Sequence, residues 1–280
     1  MVYSSYVIVD QIKNSPFVTE DFLKLAVQLE NLSEEVKHKD FYSIQEGTII
    51  NKGSRDFIDY RPSIKLDVEI IKTLQCTKVS LDSLHFFQIQ EIVESFSTHS
   101  LNISKGDQVV NLILPESYED YLAELPRKKR HELKRKMSRF QNLYPNAELK
   151  ESKSPEIFDI FVELHKTSDG AKGSFMNDKV IDFFSKLLAL DGWKIYYLEV
   201  DTTVVACCFV FEDKKGCYLY NSSKNNKFNE VNPGIVIIDK IIQKLITDSY
   251  EFFDFLKGTE RYKFDLGGTS TQLYDIELTI

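Results

Sequence analysis

In WKIYYLEVDTTVVACCFVFEDKKGCYLYNSS, residues 193–223, three runs rich in β-branched and aromatic residues are parted only by VDT and DKKG. Runs of that length with such short breaks read as three successive strands joined by tight turns. Working outward, PEIFDIFVELHK and KVIDFFSKLLAL upstream carry apolar residues at helical spacing. Downstream, NPGIVIIDKIIQKLITD reads as a helix with Pro233 in its first turn and Gly234 beside it, and FFDFL as one more strand. The order is helix, helix, three strands, helix, strand, which predicts a mixed α/β fold.

The first half is less regular. TEDFLKLAVQLENLSEEVK, residues 19–37, places Phe22, Leu23, Leu25, Ala26 and Leu29 behind the capping candidate Thr19. A helix is expected over 62–74, a strand in KVSLDSL, a helix in FFQIQEIVESFS and a buried strand over 108–115. Residues 117–144 differ in kind: Leu133, Met137, Phe140 and Tyr144 share one helical face, and seven cations from Lys128 to Arg139 cover the rest. Pro126 should start or kink this helix.

At 280 residues the chain is long enough for two domains, and 42% hydrophobic with 28% charged residues is a globular composition. A net charge of −8 argues against a surface that holds nucleic acid throughout, while leaving room for a local basic patch. Cys76, Cys207, Cys208 and Cys217 form no C-x-x-C pair, which points to reduced, buried thiols and not to a structural zinc site. The N-terminus lacks a basic region followed by a long apolar run, and no stretch is long enough to span a membrane, so a cytoplasmic protein with no metal is expected.

The stretch FDFLKGTERYKFDLGG, residues 253–268, packs three acids, four aromatic residues and three bases around Gly258 at a strand end. Together with Asn232-Pro233-Gly234, the residues Phe253 to Gly258, Glu260, Tyr262 and Lys263 resemble the ending of GNAT-type acyltransferases of the Fem and CelD group. YLAELPRKKRHELKRKMSRF resembles that group's basic helix, and GSRDFIDY, residues 53–60, a segment of its first domain. The resemblance implies a tandem of two GNAT-like lobes: a degenerate one over 1–116, a basic connecting helix over 117–145 and an acyltransferase lobe over 146–280. It further implies acyl transfer, most simply acetyl from acetyl-coenzyme A, to an amine on a sugar, an amino acid or a cell-envelope precursor.

Acyl transfer from a thioester needs a carrier site, a polarised carbonyl and a route for the amine proton. The resemblance implies that strand 204–211 lines the pantetheine arm, with Ala206, Cys207 and Cys208 small enough to let the donor approach a strand edge; the alternative is plain core. Asn232, Pro233 and Gly234 open a helix whose first N–H groups suit a diphosphate, though many helices begin this way with no ligand. Glu260 is the candidate base, Tyr262 the proton donor to the leaving thiolate, and Asp254 a substrate ligand or a structural partner. Lys257 and Lys263 would neutralise an anionic donor or acceptor, or form a salt-bridged turn. Tyr218, Tyr220 and Asn221 are second-rank binding candidates that would also pack well in a sheet; His165 is more simply a helix residue.

The basic helix would suit a phosphate-rich partner, whether coenzyme A, a phosphorylated sugar or the tRNA that some Fem relatives use as donor. A solvated helix is the alternative, and Tyr121 and Phe140 lie too far apart for a base-stacking platform. No Ser-His or Cys-His constellation supports a covalent intermediate, so direct attack is expected. A GNAT fold kept only as a binding module is the non-enzyme alternative.

Overall fold

The computed structural model describes residues 12–29, 41–168 and 171–280. Along the chain lie α1 (Glu20–Leu29), β1 (Tyr42–Gln45), β2 (Thr48–Asn51), α2 (Val68–Thr73), β3 (Lys78–Leu84), α3 (Phe86–Ser95), β4 (Leu101–Ile113), α4 (Tyr118–Glu124) and α5 (Arg127–Leu143). They are followed by β5 (Glu148–Ser152), α6 (Pro155–Lys166), α7 (Asp178–Ala189), β6 (Trp193–Val200), β7 (Thr203–Glu212), β8 (Gly216–Lys224), α8 (Pro233–Thr247), β9 (Phe252–Lys257), α9 (Arg261–Asp265) and β10 (Thr269–Thr279). The mixed α/β class expected from the sequence is what the chain adopts. Thr19 caps α1 as expected, its Oγ1 accepting from Phe22 N; the part of that helix expected beyond residue 29 lies outside the described residues.

Two compact units emerge. The first holds the chain to Val109 together with Lys257–Thr259 and Ser270–Ile280; the second holds Val110–Leu256 and Glu260–Thr269. In the first unit the strand order is β1-β2-β3-β10-β4, with β2 parallel to β3 and β10 antiparallel to it. Its core gathers Ile49, Ile71, Val79, Leu81, Ile89, Phe96 and Ile276. Helix α2 begins later than the sequence pattern expects, because Asp67 caps it by accepting from Ile70 N at 2.8 Å.

In the second unit the order is β4-β9-β8-β7-β6-β5. β5, β6, β7 and β8 are successive antiparallel neighbours, whereas β8 and β9 run parallel, as the α8 crossover requires. Helix α8 buries Val236, Ile237, Ile238, Ile241, Ile242 and Leu245, and its packing on the strands supplies much of the apolar burial of this unit. Pro126 separates α4 from α5 and caps the latter; Leu125 before it is extended, as a residue preceding proline prefers. β8 must open on glycine, because a Cβ at Gly216 would lie 2.1 Å from the Phe252 ring.

The β8–β9 ladder is short. Only Gly216, Cys217 and Tyr218 face Phe252, Phe253 and Asp254, although β8 runs on to Lys224. Immediately beyond the last pair, β9 leaves extended geometry: Leu256 has φ 60° and Gly258 φ 105°. A left-handed leucine costs on the order of 1 kcal/mol or more. The buried Asp254 carboxylate offsets that cost by accepting the Leu256 N–H at 2.7 Å.

Asp254→Ala is expected to lower unfolding free energy by roughly 1–3 kcal/mol in a urea titration, since it strands a buried amide. Asp254→Asn, which keeps the acceptor, recovers most of the loss.

A second buried acid lies in α8. Asp239 is fully buried and its Oδ2 accepts from Tyr118 Oη at 2.7 Å, while its Oδ1 has no hydrogen-bond partner among the described residues. Burial pushes this carboxyl up to about 6, against the lowering pull of the Tyr118 bond and of Lys240. The folded chain therefore holds this proton to higher pH than the unfolded chain does. Stability is present below the ordinary carboxylate value, falls by about 3 kcal/mol as pH rises to about 6, and is flat above. Asp239→Asn keeps the bond from Tyr118 and is expected to remove this fall when unfolding is measured between pH 4 and 7.

Candidate functional site

Beyond its last pair with β9, the end of β8 borders a cleft of about 370 Å³ within the second unit. Asn225 N donates to Val205 O at 2.9 Å, so strand alternation turns the backbone groups of Asn221 and Ser223 toward β7. Those of Ser222 and Lys224 point the other way, into the opening. The Ser222 N–H is held there by its neighbour's side chain, donating to Asn221 Oδ1 at 2.7 Å.

Ser222, Ser223 and Lys224 from β8 form one wall of the cleft, with Cys207 from β7 beside them. Opposite stand Asn232, Gly234 and Ile235 at the start of α8, and Tyr262 from α9. Asn226 and Asn229, from the 3-10 turn Asn226–Val231, line the polar end. The chain enters α8 through Asn232 at φ 53°, and Asn232 O takes the N–H groups of Ile235 and Val236. The Gly234 N–H, in the first turn, lies outside the helix ladder and is a donor at the cleft wall. A Cβ at Gly234 would approach nothing closer than Lys224 Cδ at 3.8 Å, so the protein leaves that volume open. Open space, a helix start and a lysine together make a place suited to an anionic group.

The strand edge expected on β7 is not there. Ala206, Cys207 and Cys208 are fully buried, and β7 pairs with β6 on one side and β8 on the other. Sequence reading found a strand of the right kind but could not see which strand of the sheet has the open side. Cys207 nevertheless lines the cleft, where burial pushes its thiol up to about 12 against the lowering effect of a bond to Ser223. Pro233 is buried beneath the α8 start, whereas Asn232 and Gly234 face the cleft.

Tyr262 lies at the cleft, and burial, with Glu260 adding to it, holds its phenol above the ordinary value. Glu260 stands exposed at the head of α9, its Oε2 3.0 Å from Lys263 Nζ. Lys263 is not a rim cation: it is buried, and its Nζ also donates to Leu256 O at 3.3 Å. Asp254 does not line the cleft; its role is to end the β9 ladder. Lys257 belongs to the first unit, where its N donates to Asp59 Oδ2 and its Nζ to Arg55 O, each at 2.9 Å.

Tyr218 is buried between Phe211 and Phe252, and Tyr220 packs on Phe184 and Trp193. The two tyrosines are sheet packing and not part of the cleft lining. His165 is buried against Phe161 and Phe175, and Tyr121 and Phe140 are both core residues. Besides Ser168, Ile235, Ile237 and Ile238, the cleft residues missed from the sequence are Ser222, Ser223, Lys224, Asn226 and Asn229. Their signal was the run NSSKNNKFNEVNPG, residues 221–234, whose Asn and Ser density reads as loop punctuation. Among the described residues no group of His, Cys, Asp and Glu could hold a metal ion, and no helix is long and apolar enough to cross a membrane.

Residues 127–264 match the acetyltransferase (GNAT) domain family. A search of curated proteins yields no match. Among solved structures, the chain is similar to a conserved protein of unknown function from Bacteroides thetaiotaomicron, with 13% identity, 83% of this chain and 79% of that one covered, and a TM-score of 0.56. It is also similar to the C-terminal domain of a putative lysylphosphatidylglycerol synthetase from Agrobacterium fabrum (14% identity, 92% and 91% covered, TM-score 0.55). A third similar structure is FemX (9% identity, 74% and 73% covered, TM-score 0.53). At these identities the likeness to solved structures is one of fold. The segment that matches this family, Arg127 to Phe264, also builds the cleft.

Proposed function

We propose that the chain is a cytoplasmic N-acyltransferase that moves an acyl group from acyl-coenzyme A to an amine on a sugar, an amino acid or a cell-envelope precursor. The observation that carries this reading is the break in the β8–β9 ladder after Tyr218 and Asp254, which opens a 370 Å³ cleft toward the first turn of α8. A thioester tail laid along β8 meets the Lys224 N–H on one side, and its phosphates meet Gly234 N–H and the Lys224 side chain. The expected lobes over 1–116 and 146–280, with the basic segment 117–145 between them, remain part of this proposal.

Catalysis then proceeds by direct attack. The amine nitrogen bonds to the carbonyl carbon, a β8 amide stabilises the oxyanion, and the carbon–sulfur bond breaks. Tyr262, which stays protonated across the neutral range, gives its proton to the leaving thiolate and regains one from solvent. Glu260 accepts the proton that the amine loses, through water. Cys207 is no nucleophile, since a thiol raised to about 12 carries almost no thiolate at neutral pH. An aminoacyl-tRNA donor is the second reading, favoured by the exposed cations Arg127, Lys128, Lys134, Arg135 and Arg139 along α5. A groove closed beside Ala206, or Glu260 locked in a buried ion pair, would favour a binding module; Glu260 pairs with Lys263 and is itself exposed.

Isothermal titration with acetyl-coenzyme A, longer acyl-coenzymes and aminoacyl-tRNA separates the donor classes. Acyl-coenzyme binding is expected, and binding of tRNA alone, weakening steeply with salt, would overturn the reading.

Tyr262→Phe is expected to lower kcat by about 100-fold while donor affinity stays within a factor of about two; an unchanged kcat removes Tyr262 from its role.

Gly234→Ala should leave the melting temperature equal or higher, since alanine favours the helix and meets no protein atom at clashing distance. Its Cβ enters the phosphate volume, so donor Kd should rise about tenfold, a loss of about 1.4 kcal/mol.

A further inference from the structure

Beside the cleft, on the far side of Ile235, α5, α8 and α9 enclose a second hollow of about 170 Å³. Its floor is apolar, made by Leu133, Ile235 and Leu266, and its rim carries Lys128, Lys129, Lys136 and Arg261 against the carboxylates of Glu132 and Asp265. Glu132 is committed to Arg135 at 2.8 Å and lies 3.7 Å from Lys136; Asp265 lies 3.4 Å from Arg261 and 3.9 Å from Lys129. Lys129 also donates to Phe264 O at 2.8 Å, which fixes it to the end of α9. Lys128 makes no ion pair among the described residues. The carboxylates thus orient three of the four cations and leave a net surplus of two positive charges over a small, walled volume.

We propose that this hollow binds one phosphate group, a phosphomonoester, of a small molecule whose other end reaches the acyl-transfer cleft around Ile235. A surplus of two charges matches a phosphate of −1.5 to −2. An extended polyanion would instead meet Glu132 and Asp265 as repulsive groups and would bind the outer face of α5. The apolar floor suits the sugar or base carried next to the phosphate. Ile235 lines both hollows, and Arg261 adjoins Tyr262, so one ligand can occupy both. The source of the phosphate is the donor's nucleotide end or a phosphorylated acceptor. The inference rests on the cleft as the acyl-transfer site.

The full chain is titrated with inorganic pyrophosphate, coenzyme A, 3′-dephospho-coenzyme A and pantetheine, alongside Arg261→Ala and Lys128→Ala. Arg261 is 91% exposed, so its truncation leaves the fold intact. With the cleft's own phosphate position blocked by Gly234→Ala, the chain is expected to bind pyrophosphate, and Arg261→Ala or Lys128→Ala added to it to weaken that binding by about tenfold. If the variants also weaken coenzyme A but not its dephospho form, the phosphate is the donor's; if they spare both coenzymes, it belongs to the acceptor. Pyrophosphate binding that is absent, or equal with and without the added substitution, overturns the proposal. Pantetheine carries no phosphate and reports the cleft alone, so its failure to bind counts against the acyl-transfer reading and leaves the pyrophosphate result to stand by itself.

Discussion

A single carboxylate bond shapes the second unit's working surface. Parallel strands that follow a crossover helix normally keep pairing along their common length, and two apolar strands such as GCYLY and FFDFL have every reason to do so. Asp254 interrupts them. By taking the Leu256 amide itself, it satisfies a buried donor that β8 would otherwise have to accept, and it holds a leucine in a backbone region that leucine avoids. β8 runs on to Lys224 beyond its last pair with β9, and Ser222, Ser223 and Lys224 of that extension line the cleft.

The surroundings reinforce that opening. Gly216 lets the Phe252 ring lie across the start of the ladder, which fixes the register of the three pairs that do form. Helix α8 locks the other wall through its isoleucine face, and Asn232 bends the chain so that the helix begins at the cleft. Lys263, which the sequence presents as a surface charge, is pulled inward to hold Leu256 O, so α9 and the kinked end of β9 are fastened together and Tyr262 is presented at the opening. Stability and chemistry share the same few bonds here.

The elements from Pro155 to Leu256 were legible in the sequence because period and length agree: runs of β-branched and aromatic residues alternate with amphipathic helices, and turns are marked by DKKG and NPG. Strands β5 and β10 and helix α9 were missed, since ELKES is largely polar, TSTQLYDIELT interleaves charges, and RYKFD is a single turn. Of the residues expected at a site, Asn232, Gly234 and Tyr262 line the cleft, where helix starts and strand ends carry local signals. Ala206 and Cys208 were misplaced because strand order is a long-range property that periodicity does not encode. Lys263 illustrates the same limit for charge, as its burial is set by Leu256 O and Glu260 and by nothing in its own neighbourhood that composition reveals.

Strand β10 has a consequence for how the molecule comes into being. It lies between β3 and β4 in the first unit's sheet, yet it is synthesised after the whole of the second unit. During synthesis β3 and β4 emerge before the strand that pairs with both, so neither can complete its ladder until the last residues of the chain are made.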